Sequence, residues 1–520
     1  MELIRKYPRT SGVLMPIPSL SGPFGIGVLG REAMEFIDFI SRSGFHAWQI
    51  LPVEHTGSCN SPYKCISAYA GEPMLIDLRM LQDMGLLTSE ELTWRMDGMQ
   101  SNYIDYDIVR KKQWELLWAA FLRLESKEYK SFKPFWLEEY ALYMAIKRHF
   151  DFAPWYEWAD KGLRSHLDAD IAKFRKEHSQ YIEFYKFVQW LFDIQWNNLR
   201  KYAKGKNISL IGDMPVYVSE DSAEVWSNRN LFNADIDGNF TAVGGVPPDY
   251  FAPEGQLWGN PIYNWKLLKE DGYNWWIDRL KVALNRYDVV RLDHFRAFAE
   301  YWSIPGDAAT AIDGKWLKGP GIALFNAFEN ALGDLTLSVI AEDLGDIDHK
   351  VVKLLKKTGL RGMRVLQFGF FGDGHHLPHN YSEESVAYTG THDNTTLLDW
   401  QHSLNQTDRE RSLFYTNFEG DWTAGGPNCP IIKSWMHTMF MSASSIVVIP
   451  IQDMLGYGGD TRTNTPGTVS GNWLFRIRDG VLSEIDTNFY LALHKAYQRE
   501  DSVKTFKTLL VTGKPVLGGG

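Results

Sequence analysis

Tyr287-Asp-Val-Val-Arg-Leu-Asp-His-Phe-Arg-Ala-Phe298 joins an apolar half to a charged one. Val289 and Val290, flanked by Tyr287 and Leu292, have the pattern of a short buried strand, and that strand runs into Arg291, Asp293, His294 and Arg296. Side chains alternate along a strand, so Arg291 and Asp293 share one face, with a cation two positions before a carboxylate. The expectation is that Arg291 keeps Asp293 ionised. A charged Asp at the C-terminal end of a strand can be a nucleophile, a metal ligand or half of a structural ion pair, and these twelve residues leave all three open.

Outward from this stretch the same unit recurs. A helix expected over Trp275–Asn285 leads into it, and equivalent strands are expected at His46–Leu51, Met74–Leu78, Ile208–Ile211, Leu337–Ala341, Met363–Phe368, Ser385–Thr389 and Ser445–Ile449. Helices are expected at Arg31–Arg42, Tyr181–Tyr202, Ile322–Leu332 and Val351–Thr358. Ser11–Gly30, rich in Gly, Pro and Ser, is expected as an ordered loop. Eight strands alternating with helices are the arithmetic of an α/β fold of the (β/α)8 TIM-barrel kind, whose chemistry sits at the strand C-termini. The competitor, a doubly wound open sheet, would need a glycine-rich phosphate turn, and no G-x-G-x-x-G follows the first strand.

The whole chain, residues 1–520, is then one catalytic barrel interrupted by inserted subdomains. Residues 84–160 have a helical, Trp- and Tyr-rich texture without a strand of their own. Residues 219–270 hold a long irregular stretch with Gly244-Gly-Val-Pro-Pro-Asp-Tyr-Phe-Ala-Pro-Glu-Gly-Gln-Leu-Trp-Gly259. A loop of that length is usually functional or disordered, and Tyr250, Phe251 and Trp258 argue against disorder.

Bulk properties exclude several classes. The net charge is -10 with Lys and Arg scattered, which argues against a nucleic-acid surface. Three cysteines without metal-ligand spacing favour a reducing compartment over a disulfide framework, although Cys59 and Cys65 are close enough in sequence to pair. No apolar run is long enough to cross a bilayer, and the expectation is a soluble cytoplasmic protein without membrane contact. Aromatic residues make up 14%, including 20 Trp and 24 Tyr, more than a core of this size needs; aromatic faces stack on sugars and bases as well as filling cores. Most are expected in the core.

If the barrel closes, Asp213, Asp293, Glu342 and Asp393 ring one mouth with His294 and His392. A divalent metal could draw such ligands together, but no H-E-x-x-H or comparable spacing supports it. Glycosidic chemistry fits better, since it needs one ionised carboxylate and a second one kept protonated nearby. On this reading Asp293 attacks the anomeric carbon and Glu342 protonates the leaving oxygen. Asp343 points to the opposite face, which leaves Glu342 free to hold a higher pKa. Asp393 binds sugar hydroxyls and favours the distorted ring, and the two histidines grip hydroxyls.

Val290-Arg-Leu-Asp-His-Phe295, Ile340-Ala-Glu-Asp-Leu-Gly345 and Gly390-Thr-His-Asp-Asn-Thr-Thr396 resemble the motifs of the α-amylase-like retaining enzymes, and among these the amylomaltase or 4-α-glucanotransferase family, glycoside hydrolase family 77. Ser11-Gly-Val-Leu14, Gly22–Gly27, Ser61-Pro-Tyr63, Ser67–Pro73, Gly212–Val218, Pro247–Trp265 and Arg364–Phe368 resemble further segments of that family in the same order, covering about Ser11 to Phe506. The resemblance implies a (β/α)8 fold, no cofactor and no metal. It implies Asp293 as nucleophile, Glu342 as acid/base and Asp393 as transition-state stabiliser. Tyr63 would stack at the donor subsite, with Asp213, Arg291, His294 and His392 lining it. Tyr250, Phe251, Gln256 and Trp258 would belong to the loop over the cleft, and Asn464 would face the substrate. The implied reaction moves α-1,4-linked segments of maltooligosaccharides, starch or glycogen-type glucans onto the 4-hydroxyl of another glucan or glucose. Cys59-Asn60 and Phe371–His376 depart from the family's pattern.

Three carboxylates do not choose between transfer and hydrolysis, because both pass through the same covalent intermediate. A retaining α-glucan hydrolase and an inactive glucan-binding barrel therefore stand as alternatives. A cleft covered by Tyr250, Phe251 and Trp258 would favour a stacked sugar over water as acceptor.

Overall fold

Thr10-Ser-Gly-Val-Leu14 opens the barrel as strand β1, fully buried, where the composition suggested a loop. The computed structural model describes residues 7–57, 59–94, 102–235, 238–248 and 252–501. Within them β2 (Ala47–Gln49), β3 (Ser209–Met214), β6 (Val289–Leu292), β9 (Val339–Ala341), β10 (Gly362–Val365), β11 (Ser385–Tyr388) and β12 (Ile446–Pro450) complete an all-parallel sheet of eight strands. Its order is β10-β11-β12-β1-β2-β3-β6-β9, and a parallel bridge between Ile340 and Arg361 joins its two edges, with Ala341 donating to the Arg361 carbonyl at 2.9 Å.

The count of eight holds, but two members change. Thr10–Leu14 is short, small and polar at its start because β1 approaches β2 closely: a Cβ at Gly12 would lie 2.9 Å from the Ala47 Cβ. Met74–Leu78 is not a strand. Glu72 caps a 3-10 turn at Pro73–Leu75, accepting from the Met74 amide at 3.0 Å, and Asp77 caps the helix Leu78–Asp83. Its apolar run is buried, so burial alone did not distinguish strand from capped turn.

Inward-facing residues alternate along every strand and stack as Leu14, Ile211, Val289, Ile340, Met363, Val386 and Ile446, a packed plug across the barrel. The same alternation carries Asp213, Arg291, Asp293 and Glu342 to the layer above it. Helices Arg31–Arg42, Ser179–Gly205, Asn274–Arg286, Ile322–Leu332 and His349–Thr358 coat the outside, within two or three residues of their expected bounds. Trp48, Trp155, Trp158, Trp226, Trp276, Trp400 and Trp435 are fully buried, and most of the other tryptophans pack against the same core.

Residues 84–160 contribute helices Tyr106–Arg123 and Leu137–His149, which pack with Ser179–Gly205 between β2 and β3. The stretch expected to be irregular supplies β4 (Ala242–Val246) and β5 (Gln256–Pro261). These pair antiparallel with β7 (Glu300–Pro305), which pairs with β8 (Lys315–Lys318), in a separate sheet ordered β5-β4-β7-β8. β7 starts four residues after Arg296, so this small sheet is tied directly to the turn that carries Asp293.

Candidate active site

Arg291 and Asp213 are register partners on β6 and β3, which puts a guanidinium opposite a carboxylate inside the barrel. The Arg291 Nη1 donates to Asp213 Oδ1 and Oδ2 at 2.8 and 2.7 Å and to Asp293 Oδ1 at 2.9 Å. Arg291 is 4% exposed and Asp213 1%, so the ion pair is screened little by solvent. One cation thus serves two acids. That division alters the expectation for Asp293: burial pushes its carboxyl up to about 7, with Asp213 and Asp393 adding to the rise, and Arg291 recovers only part of the shift.

Glu342 follows β9, the strand that pairs with β6, and so lies beside Asp293. Its Oε2 accepts the His294 amide at 2.7 Å and its Oε1 the Leu344 amide at 2.8 Å. Burial raises it as well, with the Asp293 charge contributing and Arg291 opposing. His294 reaches this geometry with φ 48°, left-handed for a residue with a side chain, at a cost of order 1 kcal/mol or more. Its imidazole is held down at about 4 by burial and by Arg296 and Arg291, so it is neutral at pH 7. Asp343 turns the other way, accepting from the Met363 amide at 2.6 Å and from Arg364 at 3.3 Å.

Asp393 is held differently. It lies in the loop after β11, its side chain is 42% exposed, and its Oδ1 accepts Asn464 Nδ2 at 2.6 Å. The adjoining His392 stacks on Tyr63 with ring centroids 5.3 Å apart and planes 17° from parallel. The Tyr63 hydroxyl donates to Asp213 Oδ2 at 2.7 Å and lies 2.9 Å from His392 Nε2. On the far side, Trp258 on β5 meets the His294 ring edge-on at 4.9 Å and donates its Nε1 to Gln256 Oε1 at 3.1 Å. Tyr250 and Phe251 lie outside the described residues.

Two residues of this mouth were not singled out from the sequence. Trp473, at φ 67°, sets its ring 5.9 Å from Tyr63 and 6.0 Å from His392. Arg462 donates to the carbonyls of Asp393 and, at 2.8 Å, of Asn464. Neither has a local signal, because both arrive on a strandless segment after β12. In the loops that depart from the family pattern, Asn60 accepts from Arg110 at 2.5 Å, and the His376 Nδ1 accepts the Val365 amide at 2.9 Å while Phe371 stays exposed.

The site therefore offers two neighbouring acids whose carboxyls burial raises, a cation bonded to one of them and to Asp213, and aromatic faces around the mouth. Among the described residues no group of three or more His, Cys, Asp or Glu is arranged as metal ligands. A closed parallel barrel with paired acids at its C-terminal mouth defines a (β/α)8-barrel enzyme suited to acid/base and nucleophilic work. A sequence profile described as 4-alpha-glucanotransferase matches residues 15–483. A 4-alpha-glucanotransferase of Streptococcus pneumoniae is 40% identical over 501 residues, covering 94% of this chain and 97% of its own. One from Thermus thermophilus is 41% identical over 494 residues, covering 92% and 96%. The amylomaltase of Streptococcus agalactiae, solved in complex with acarbose, superposes with a TM-score of 0.90 at 39% identity over 95% of this chain and all of that one. The chain belongs to the 4-alpha-glucanotransferase family.

Proposed function

We propose that this protein transfers α-1,4-glucan segments from a donor to the 4-hydroxyl of an acceptor glucan or glucose, with retention, through a glucosyl ester of Asp293. The observation that carries the roles is the pairing of Asp293 and Glu342 on adjacent strand ends in different settings, Asp293 beside the Arg291 guanidinium and Glu342 against the His294 and Leu344 amides. In the first step an Asp293 oxygen bonds to the anomeric carbon as the C1–O4 bond breaks, and the leaving oxygen takes the Glu342 proton. In the second step an acceptor 4-hydroxyl attacks that carbon, Glu342 takes back a proton, and the Asp293 ester bond breaks. Arg291 stabilises the negative charge on Asp293 before it attacks and again as the ester bond breaks. Asp393, fixed by Asn464, grips hydroxyls of the distorted ring; Tyr63, Asp213, Arg291, His294 and His392 line the donor subsite, and Gln256 and Trp258 belong to the loop over the cleft, as the sequence implies for Tyr250 and Phe251.

The substrates in this reading are maltooligosaccharides and starch or glycogen-type glucans. We place the reaction in the cytoplasm, where the three free thiols would stay reduced; among the described residues no helix is long and apolar enough to cross a membrane.

Incubation with maltotriose followed by chromatography tests the reaction. Products both shorter and longer than the substrate, without steady growth in reducing ends, are expected; steady growth would identify a hydrolase, and an unchanged substrate a binding protein. Asp293→Asn should abolish turnover while leaving the circular dichroism of the folded chain intact. Trp258→Ala should raise hydrolysis relative to transfer, and an unchanged ratio would remove Trp258 from the choice of acceptor.

A further inference from the structure

Asp453 is a buried acid to which the reaction above gives no part. It follows β12, is 1% exposed, and accepts the Thr389 hydroxyl at 2.5 Å on Oδ2 and the Leu397 amide at 2.7 Å on Oδ1. Thr389 and Leu397 are the two ends of the loop that carries His392 and Asp393. One carboxylate therefore closes that loop at its base.

The preceding residue acts on the second support of Asp393. Gln452, 5% exposed, donates its Nε2 to the Thr461 carbonyl at 3.2 Å and to the Thr463 hydroxyl at 3.0 Å. The segment so held presents Arg462 to the Asp393 carbonyl and Asn464 Nδ2 to Asp393 Oδ1, and the Asn464 amide donates to the His392 carbonyl at 3.0 Å. Asp293 and Glu342 are fixed by strands. Asp393 stands on a loop, in which Thr391 Oγ1 accepts its amide at 3.2 Å and Gln367 donates to the Thr395 carbonyl at 2.8 Å; the base of that loop and the segment carrying Arg462 and Asn464 are both anchored to one dipeptide.

We infer that Gln452 and Asp453 are positioning residues for Asp393: together they set the height and orientation of its carboxylate at the barrel mouth. The inference rests on the stabilising role given to Asp393 above. The alternative is a purely structural pair, in which Asp453 helps to begin the helix Leu397–Ser403. That helix already has its own cap, since Thr396 Oγ1 accepts the Asp399 amide at 3.3 Å.

A double-mutant cycle separates the two. Rates of transfer from maltotriose, and for slow variants from an α-maltosyl fluoride donor, are measured for Asp453→Ala, Gln452→Ala and Asp453→Asn, each alone and combined with Asp393→Asn. Displacing a transition-state group by about 1 Å costs up to roughly 100-fold, so Asp453→Ala and Gln452→Ala should each lower kcat about 10- to 100-fold with KM changed less than about threefold. Asp453→Asn should keep most of the rate, because its amide oxygen still accepts the Leu397 N–H and the Thr389 hydroxyl can turn to accept from the amide nitrogen. In the Asp393→Asn background neither alanine variant should lower the rate more than about twofold, since the group they position is gone.

Equal fractional losses in both backgrounds, or a change confined to KM, overturn the inference. Gln452→Ala leaves every carboxylate in place, so the cycle can be completed with it should Asp453→Ala not fold. Near wild-type kcat in Asp393→Asn alone would overturn the role of Asp393 and this inference together, whereas additive losses beside a strongly slowed but measurable Asp393→Asn overturn the inference only.

Discussion

Replacing Asp213 by Asn should extend activity to lower pH, because Asp213 competes with Asp293 for one cation. Both carboxylates accept from the same Arg291 nitrogen, at 2.7 and 2.9 Å, which places their nearest oxygens within about 5 Å of each other. Two unit charges ~5 Å apart at an effective dielectric constant of ~20 repel by about 3 kcal/mol, or roughly 2 pH units, as an upper bound. The Asp293 side chain is 24% exposed, so solvent weakens the coupling, and a shift of about 1 unit is the working figure. The sign is set by the direction of each shift. In the proposed role Asp293 attacks as the carboxylate; burial and the Asp213 charge hold it up at about 7, and removing that charge lets Arg291 pull it down. The acid limb of kcat/KM, which reports the free enzyme, should move toward lower pH, whatever happens to the height of the profile through lost substrate contact. The alkaline limb supplies an internal control. In the proposed acid/base role of Glu342, which burial raises with Asp293 and Arg291 rather than Asp213 among its main neighbours, that limb should move little. The assay is glucose release from maltotriose between pH 4.5 and 9. An acid limb that stays in place or moves upward would refute the shared-cation account.

The same burial should appear in stability. A carboxyl with a raised folded-state pKa stabilises most below its unfolded value and loses that contribution as pH rises through the folded value, so Asp293→Asn should gain thermal stability over the parent between about pH 4 and 7, by at most ~1.4 kcal/mol per unit, and then level off; a difference independent of pH would contradict it. Arg291→Met leaves Asp213 and Asp293 buried without a cation and should destabilise by about 3–5 kcal/mol in chemical denaturation. Gly212→Ala puts a Cβ 2.2 Å from the Tyr287 ring, and should cost about 1–3 kcal/mol while disturbing the β3–β6 register on which the Asp213–Arg291 pair depends.

What the sequence reveals here follows from how local each cause is. Asp293, Glu342 and Arg291 are legible because strand alternation fixes which side chains share a face, and the helix bounds are legible because the apolar period of helices such as Arg31–Arg42 is regular. β1 escapes this logic. Thr10-Ser-Gly-Val-Leu14 has the composition of a turn, and the reason for its small residues is Ala47 on another strand, a contact that no window along the chain contains. Met74–Leu78 fails the opposite way: its apolar run is real, but Glu72, Gln113 and Gln195 take up its main-chain groups, with Gln195 bonding both the Asp77 amide and carbonyl. The two departures offset each other in the strand count, so an eightfold count was no test of either.

The acids divide along the same line. Asp293 and Glu342 extend strands, so their neighbours are set by register, and a reader who has the strands has the pair. Asp393 stands on a loop with its side chain 42% exposed, and four of the residues that hold it lie 59 to 71 positions later: Asp453 and Gln452 at the loop bases, Arg462 and Asn464 on Asp393 itself. Its motif identifies it, but its placement depends on contacts distant in sequence. A substitution at Gln452 or Asp453 should therefore act on the rate through Asp393, whereas one at Arg291 acts first on folding, because Arg291 is buried between the two acids it serves. The separation is measurable as a ratio: the change in kcat per unit of lost stability should be larger for Gln452→Ala than for Arg291→Met.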